Sequence, residues 1–176
     1  MTKPHLLAVC GLYCGACYHY RAAFPDGKHL LDPAFRGSRP LQGYTCRGCR
    51  SDKLYIHAGC ADCQIRACAQ DKGLTHCGEC EQVDRYETAC ERLKAFQNDA
   101  RIHHLPILQQ LDDVKRKGIG PWLAEQQARW TCSCGQPFSW YESVCQRCGK
   151  TLNSYANQDS QTPASDAQSK PQVQKE

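Results

Sequence analysis

Cysteine is the residue that most limits how this chain can fold. It supplies 15 of the 176 residues, and most of these cysteines form pairs separated by one or two residues. Leu, Ile, Val and Phe together contribute only 28 of the 176 residues. This fraction of the chain is below the roughly 20% expected of chains that build an ordinary hydrophobic core. A chain this poor in aliphatic residues needs disulfides or bound metal ions to hold a compact fold.

The lack of a readable secretory signal and the odd number of cysteines favour metal ions over disulfides. The apolar run at the start of the chain, Leu6 to Val9, stops at Cys10 and is too short for a secretory signal. No apolar run approaches the 18 or more residues of a membrane span. The odd number of cysteines argues against complete disulfide pairing. We therefore expect a cytoplasmic protein with no membrane association, in which the cysteines are metal ligands.

The formal net charge of +4 is weak evidence for nucleic-acid binding. Metal-bound cysteines are thiolates, and three four-thiolate zinc sites would lower the net charge by about 6. The metal-loaded chain would then be slightly acidic.

The last four cysteines form two short pairs separated by a segment of hairpin length: Cys132, Cys134, Cys145 and Cys148. A glycine, Gly135 or Gly149, follows each pair and allows the positive φ of a tight turn. Four sulfurs around one zinc make a closed tetrahedral site of the structural kind. We predict a short β zinc ribbon, with Phe138 and Trp140 on one face and Tyr141 on the other.

Eleven further cysteines precede the ribbon, and the repeated Cys-x-x-Cys units among them indicate metal binding. They are Cys10, Cys14, Cys17, Cys46, Cys49, Cys60, Cys63, Cys68, Cys77, Cys80 and Cys90. Eleven ligands do not divide by four. Two zinc ions would leave three cysteines over, and three ions would need one more ligand, which His19, His57 or His76 could supply.

Sequence spacing favours two sets of four ligands. These are Cys46 and Cys49 with Cys60 and Cys63, and Cys77 and Cys80 with Cys68 and Cys90. The opening triplet of Cys10, Cys14 and Cys17 is then short of a ligand. Cys68 and Cys90 are also candidates to complete the triplet, since each stands outside a Cys-x-x-Cys pair. We expect the triplet to be structural and enclosed.

An iron–sulfur cluster on the triplet is the alternative, because Cys-x₃-Cys-x₂-Cys is also the cluster motif of radical-SAM enzymes. Those enzymes surround the cluster with a βα barrel, and this chain shows no alternation of strands and helices and is too short for a barrel plus a ribbon. A cavity beside Cys14 large enough for a cofactor would favour the cluster.

The N-terminal motifs resemble a family of Cys-rich bacterial and archaeal proteins known as domain of unknown function 3795. The matching segments are Cys10-Gly-Leu-Tyr-Cys14-Gly-Ala-Cys17, Cys46-Arg-Gly-Cys49, Cys60 to Cys68 with Ile65 and Arg66, Lys72-Gly73, Cys77 to Cys80, and Cys90 with Leu93. One position departs from the family pattern, since Ala89 replaces the usual proline. The resemblance implies that all eleven cysteines are used together, and it assigns no reaction.

The cysteine-free middle of the chain predicts helices. A capping box at Asp84 precedes a helix that carries Leu93. A second helix should begin at Pro106 and end at Gly118, and a third should follow Pro121. We therefore expect a small, metal-stapled, mainly α protein with irregular Cys-rich loops and a C-terminal ribbon. The expected parts are a Cys-rich domain (1–98), a helical connector (99–130), the ribbon (131–150) and a disordered tail (151–176).

No Ser/His/Asp set, paired acids or phosphate-binding loop is readable in the sequence. We therefore expect a non-catalytic interaction or regulatory module with an unidentified protein partner. It would hold two or three zinc ions in its N-terminal domain and one in the ribbon. An iron–sulfur redox or catalytic protein is the first alternative. Nucleic-acid binding, with Trp140 and Tyr141 stacking on bases, is the second, although the ribbon carries few cations.

Overall fold

The computed structural model describes residues 4–33, 46–51, 55–83, 90–99 and 101–158. Within these ranges the regular structure is helical. The α-helices are α1 (Tyr18–Arg21), α2 (Ala58–Ala61), α3 (Gln64–Asp71), α4 (Glu91–Gln97), α5 (Ile107–Lys117), α6 (Ile119–Arg129) and α7 (Tyr155–Gln158). Short 3₁₀ segments cover Pro4–Leu6, Cys14–Ala16, Pro25–Leu31, Cys77–Glu79 and Ile102–His104.

The predicted mainly α fold is confirmed, but the β ribbon is not. In the described ranges, β pairing consists of three isolated bridges, Leu7 to Tyr13, Thr131 to Pro137 and Val144 to Thr151. Each bridge joins two residues that flank a short loop containing cysteines. The pairing does not continue beyond that one bridge, so no strand forms. Among the helices described here, none is long and apolar enough to cross a membrane.

Helices α5 and α6 are joined by the single residue Gly118 and contact each other, and local sequence explains where α5 begins and ends. Pro106 occupies the N-cap of α5 and Gly118 ends it with a φ of 83°, as predicted. The apolar stripe of α5, including Ile107 and Leu111, is almost fully buried. Helix α6 begins directly at Ile119, earlier than predicted, because one residue with positive φ both ends α5 and starts α6.

Two core clusters meet at α5. Val114 joins the cluster that contains N-terminal residues and the aromatic residues of the C-terminal segment: Leu7, Tyr13, Ala16, Trp122, Trp130, Phe138, Trp140, Leu152 and Tyr155. Ile107 and Leu111 join the cluster that supports the Cys-rich helices: Val9, Ile65, Ala69, Cys77 and Leu93. The first cluster contains residues of the expected Cys-rich domain, connector and ribbon, and the second contains residues of the Cys-rich domain and the connector.

The packed chain also extends past the predicted start of the tail at Thr151. Leu152 and Tyr155 are buried, and the Tyr155 ring centroid lies 5.3 Å from that of Trp130. The side-chain amide of Asn157 donates to the carbonyl oxygen of Leu152 at 2.7 Å. The remaining tail residues, 159–176, lie outside the described ranges.

Helix α4 carries the predicted buried Leu93, and Cys90 occupies its N-cap. The capping box expected at Asp84 lies outside the described residues.

Candidate metal centres

The four C-terminal cysteines converge as predicted. The sulfur of Cys132 lies 3.6 Å from that of Cys148, and the sulfur of Cys134 lies 3.6 Å from that of Cys145. All four sulfurs lie within 4.8 Å of one another, the spacing of ligands that could hold one metal ion. In the part of the chain that the structure describes, no other Cys, His, Asp or Glu side chains bring three ligand atoms this close.

Tight turns after each cysteine pair create this convergence. Gly135 and Gly149 have φ values of 86° and 72°, so each turn can fold back under its pair. The N–H of Gly135 donates to the carbonyl oxygen of Cys132 at 2.8 Å. The N–H of Cys134 donates to the Cys132 sulfur, and this hydrogen bond is the main cause that lowers the Cys132 pKa to about 6. Cys132 is therefore ready to act as a thiolate ligand.

The segment between the two pairs is attached to the N-terminal part of the chain. The N–H of Trp140 donates to the carbonyl oxygen of Ala16 at 3.0 Å. The carboxylate of Glu142, which is only 4% exposed, lies 2.6 Å from Nε2 of His29. Its second oxygen accepts from the N–H of Ser139. The four-cysteine cluster, a candidate metal site, therefore lies on a segment that contacts Ala16 and His29.

Seven N-terminal cysteines line a single cavity of about 330 Å³: Cys10, Cys14, Cys17, Cys46, Cys49, Cys60 and Cys63. Other residues that line the cavity include His57, Arg66, His103 and Trp140. The predicted set of Cys46, Cys49, Cys60 and Cys63 is therefore not separate from the opening triplet. The triplet also lies beside a cavity, contrary to the enclosed site expected from the sequence.

Cys14 is one of the seven cysteines that line the cavity. Its thiol donates a hydrogen bond to Cys49, which raises the Cys14 pKa well above its usual value and lowers the Cys49 pKa to about 6. The charges of Cys17 and Cys46 also act on Cys14. The charges of Cys46 and Cys60 act on Cys17, those of Cys49, Cys63 and Cys77 act on Cys10, and those of Cys46, Cys63 and Cys49 act on Cys60, so these cysteines do not divide into two separate groups.

Backbone N–H groups point at two of these sulfurs. Val9 donates to Cys49 at 3.3 Å, and Gly48 donates to Cys46 at 3.4 Å. Cys17 occupies the N-cap of α1, where its side chain makes no capping hydrogen bond, and the backbone of Tyr20 and His19 acts to lower its pKa. Burial nevertheless raises the Cys17 pKa to about 12. Burial therefore disfavours the Cys17 thiolate, and a metal ion bound in the cavity would supply the positive charge that this thiolate needs.

The four remaining cysteines, Cys68, Cys77, Cys80 and Cys90, line a second cavity of about 410 Å³. This is the grouping that the spacing predicted. The Nζ of Lys72 lies 3.7 Å from the Cys80 sulfur, and burial is the main cause that raises the Cys77 pKa to about 12. No three of these sulfurs lie within 4.8 Å of one another.

The expectation that Cys68 or Cys90 completes the opening triplet stays a prediction, although both residues line a different cavity from the triplet. Helix α4, which begins after Cys90, packs its Leu93 into the cluster of Ile65 and Ala69 on α3. Cys90 and Cys68 line the same cavity as Cys77, and the charge of Cys77 also acts on Cys10.

Of the histidines considered as ligands, His57 and His19 line the seven-cysteine cavity and His76 does not. The Nδ1 of His57 accepts from the N–H of Gly59 at 3.1 Å, as the N-cap of α2. His76 lies near Glu79, with Nε2 to Oε1 at 3.6 Å.

Sequence reasoning missed two wall residues of the cavity, His103 and His104. The ring of His103 stacks on Trp140 with centroids 4.2 Å apart, and burial lowers its pKa to about 3. His104 is buried, and its Nδ1 lies 2.8 Å from Oδ1 of Asp99. The sequence places both residues before α5, but nothing in their spacing relates them to the cysteines.

Comparison with known proteins gives one match. The model of a family described as "Protein of unknown function (DUF3795)" matches residues 6–95, slightly more than half of the chain. This range contains all eleven N-terminal cysteines and ends before the C-terminal site. No curated protein and no solved structure matches the chain.

Proposed function

The chain belongs to this family of proteins of unknown function, as its motifs indicated, and we propose that it is a zinc-binding protein with a structural C-terminal site. The observation that carries the proposal is the convergence of the sulfurs of Cys132, Cys134, Cys145 and Cys148. Four thiolates complete the tetrahedral coordination of zinc and leave no position for substrate, which is typical of structural sites.

The proposed role of this zinc is to hold the C-terminal segment in the shape that covers the Cys-rich part of the chain. Trp140, from the loop between the two cysteine pairs, lies in the wall of the seven-cysteine cavity. The set of Cys68, Cys77, Cys80 and Cys90 is proposed to bind a further zinc. All fifteen cysteines, each within the described ranges, are free thiols, and a reducing compartment would keep them available for metal. A non-catalytic interaction or regulatory role for the assembled module is part of the proposal.

Zinc analysis of two variants tests the C-terminal site. Cys145→Ser should lower the zinc content of the anaerobically purified full-length protein by about one ion per chain, because a three-sulfur site binds zinc less tightly. The control is Ser133→Ala, which changes an exposed hydroxyl between two of the ligands and should keep the full zinc content. An unchanged zinc content in Cys145→Ser would contradict the proposal.

An iron–sulfur protein is the second candidate, and the cavity beside Cys14 favours it. Cysteine-only sites accept both zinc and iron–sulfur clusters, and backbone hydrogen bonds to sulfur are found around such clusters. The anaerobically purified protein would then be brown and would contain iron and acid-labile sulfide. A colourless protein with stoichiometric zinc would exclude this candidate.

Nucleic-acid binding through stacking on the ribbon aromatics is not part of the proposal. Trp140 is only 4% exposed, and the Tyr141 hydroxyl lies 2.6 Å from Nδ1 of His103. Base stacking requires aromatic faces that are open to solvent, and the Trp140 face already stacks on His103.

A further inference from the structure

A third cavity, of about 700 Å³, has no cysteine among its described lining residues. Residues 6–26 form one side of it, and residues 123–137, which include the end of α6, form the other. Four of the lining residues are aromatic: Tyr13, Tyr20, Phe24 and Trp130. A volume of about 300–1,000 Å³ and a wall rich in aromatic residues are typical of sites for small organic ligands.

Arg21 brings a buried positive charge to this cavity. Its side chain is only 10% exposed, and Nη2 lies 2.6 Å from Oδ2 of Asp26. The same Nη2 donates to the carbonyl oxygen of Pro137 at 3.4 Å. Within the described residues, Nε and Nη1 of Arg21 have no hydrogen-bond partner. A guanidinium carries five N–H donors, so Arg21 can still donate to a ligand.

The hydroxyl of Tyr13 is a second polar group at the cavity. Tyr13 is only 6% exposed, and its hydroxyl has no hydrogen-bond partner among the residues that the structure describes. A Cβ on Gly15, which also lines the cavity, would clash with this hydroxyl. Glycine at this position therefore leaves space for a buried phenol that can donate to a ligand.

Two further arginines add positive charge beside the aromatic wall. The guanidinium of Arg47 lies 4.7 Å from the ring centroid of Phe24, and that of Arg129 lies 5.0 Å from the ring centroid of Trp130. Among the described lining residues the one acidic side chain is Asp26, which Arg21 already pairs. The surplus of positive charge favours an anion in the cavity.

We propose that this cavity binds an aromatic organic anion, a carboxylate or sulfonate attached to a fused ring system. The acidic group of the ligand accepts hydrogen bonds from Arg21 and from the Tyr13 hydroxyl. The ligand ring packs against Tyr20 and Phe24, whose ring centroids lie 5.0 Å apart. The site uses no cysteine, so it goes beyond the proposed zinc binding and does not depend on it.

Two dyes test this site in the zinc-loaded, full-length protein. The probe is 1-anilinonaphthalene-8-sulfonate, an aromatic anion whose fluorescence rises in apolar surroundings. N-phenyl-1-naphthylamine has the same ring system without the sulfonate. The anionic dye should bind about tenfold or more tightly than the neutral dye, because hydrogen bonds to charged groups contribute about that factor.

Two pairs of variants locate the bound dye. Arg21→Gln should weaken binding of the anionic dye about tenfold and leave the affinity for the neutral dye unchanged. Its control is Arg116→Gln, which removes an exposed positive charge from α5. Ala124→Trp, at an exposed position that lines the cavity, should fill the space and abolish binding of both dyes. Its control is Ala128→Trp, one turn further along α6 at another exposed position, which should keep binding.

The outcomes are distinct. Equal affinities of the original protein for the two dyes would overturn the preference for an anion. An unchanged affinity for the anionic dye in a folded Arg21→Gln variant would overturn recognition by Arg21. If circular dichroism shows that Arg21→Gln is unfolded, the two tryptophan variants decide, and binding that persists in Ala124→Trp overturns the site. The zinc content of the folded variants should not change, so failure of this proposal leaves zinc binding intact.

Discussion

At the scale of single residues, Gly11 shows how the Cys-rich motif is joined to the helical core. It follows Cys10 with a φ of 97°, and a Cβ there would lie 2.8 Å from Cγ of Leu111 and 3.0 Å from the carbonyl oxygen of Ile107. Both the backbone conformation and the space therefore require glycine. The first turn of the motif can approach α5 only because this side chain is absent.

We expect Gly11→Ala to lower the free energy of unfolding by about 2–4 kcal/mol, because it adds a steric clash to the cost of positive φ. Urea unfolding of the zinc-loaded protein measures the change. The matched control is Gly73→Ala, where φ is 67° but no atom lies within 4 Å of the added Cβ, so about 1–2 kcal/mol should be lost. Equal losses in the two variants would show that contact with α5 is unimportant.

At the scale of elements, buried polar contacts attach the C-terminal segment to the rest of the chain, in addition to its proposed metal site. Glu142 connects the loop between the cysteine pairs to the 3₁₀ segment Pro25–Leu31 through His29. The same carboxylate accepts the N–H of Ser139. A buried carboxylate with two partners holds a loop more firmly than an exposed ion pair does.

Glu142→Gln should therefore destabilise the protein by about 1–3 kcal/mol, since it weakens charge-assisted hydrogen bonds in a buried position. Glu125→Gln provides the control. Its carboxylate lies 2.7 Å from Nζ of Lys117 but is 53% exposed, so its loss should cost less than about 1 kcal/mol. Thermal unfolding followed by tryptophan fluorescence compares the two. A loss no larger in Glu142→Gln than in the control would argue against this attachment.

At the scale of the whole molecule, metal binding and folding are expected to be one process. The two core clusters are small, and several cysteines occupy positions in them or beside them. Structural zinc contributes roughly 10–16 kcal/mol per site, which equals or exceeds the typical stability of a domain, about 5–15 kcal/mol.

Removal of zinc by a chelator should consequently unfold residues 10–90, with loss of the helical circular dichroism from α1 to α3. The same chelator saturated with zinc serves as the control and should leave the spectrum unchanged. A metal-free protein that still unfolds cooperatively with an unchanged spectrum would show that the aliphatic core is sufficient.

The sequence by itself determined the features that depend on neighbours along the chain. The C-terminal site could be predicted because two short cysteine pairs, each followed by glycine, bring their sulfurs together through local turns. Helix α5 could be predicted because Pro106, Gly118 and the apolar stripe act within a few residues of one another. The extension of the packed chain to Gln158 could not, because Leu152 and Tyr155 are buried against partners distant in sequence.

Only the tertiary structure decided which cysteines share a cavity. Spacing treats Cys46, Cys49, Cys60 and Cys63 as one set, whereas the fold places them around the opening triplet. Spacing also leaves Cys68 and Cys90 available to that triplet, whereas the fold places both in the lining of the same cavity as Cys77. The physical reason is that a thiolate's partners are set by distance in space, and the packing of helices far apart in sequence sets that distance.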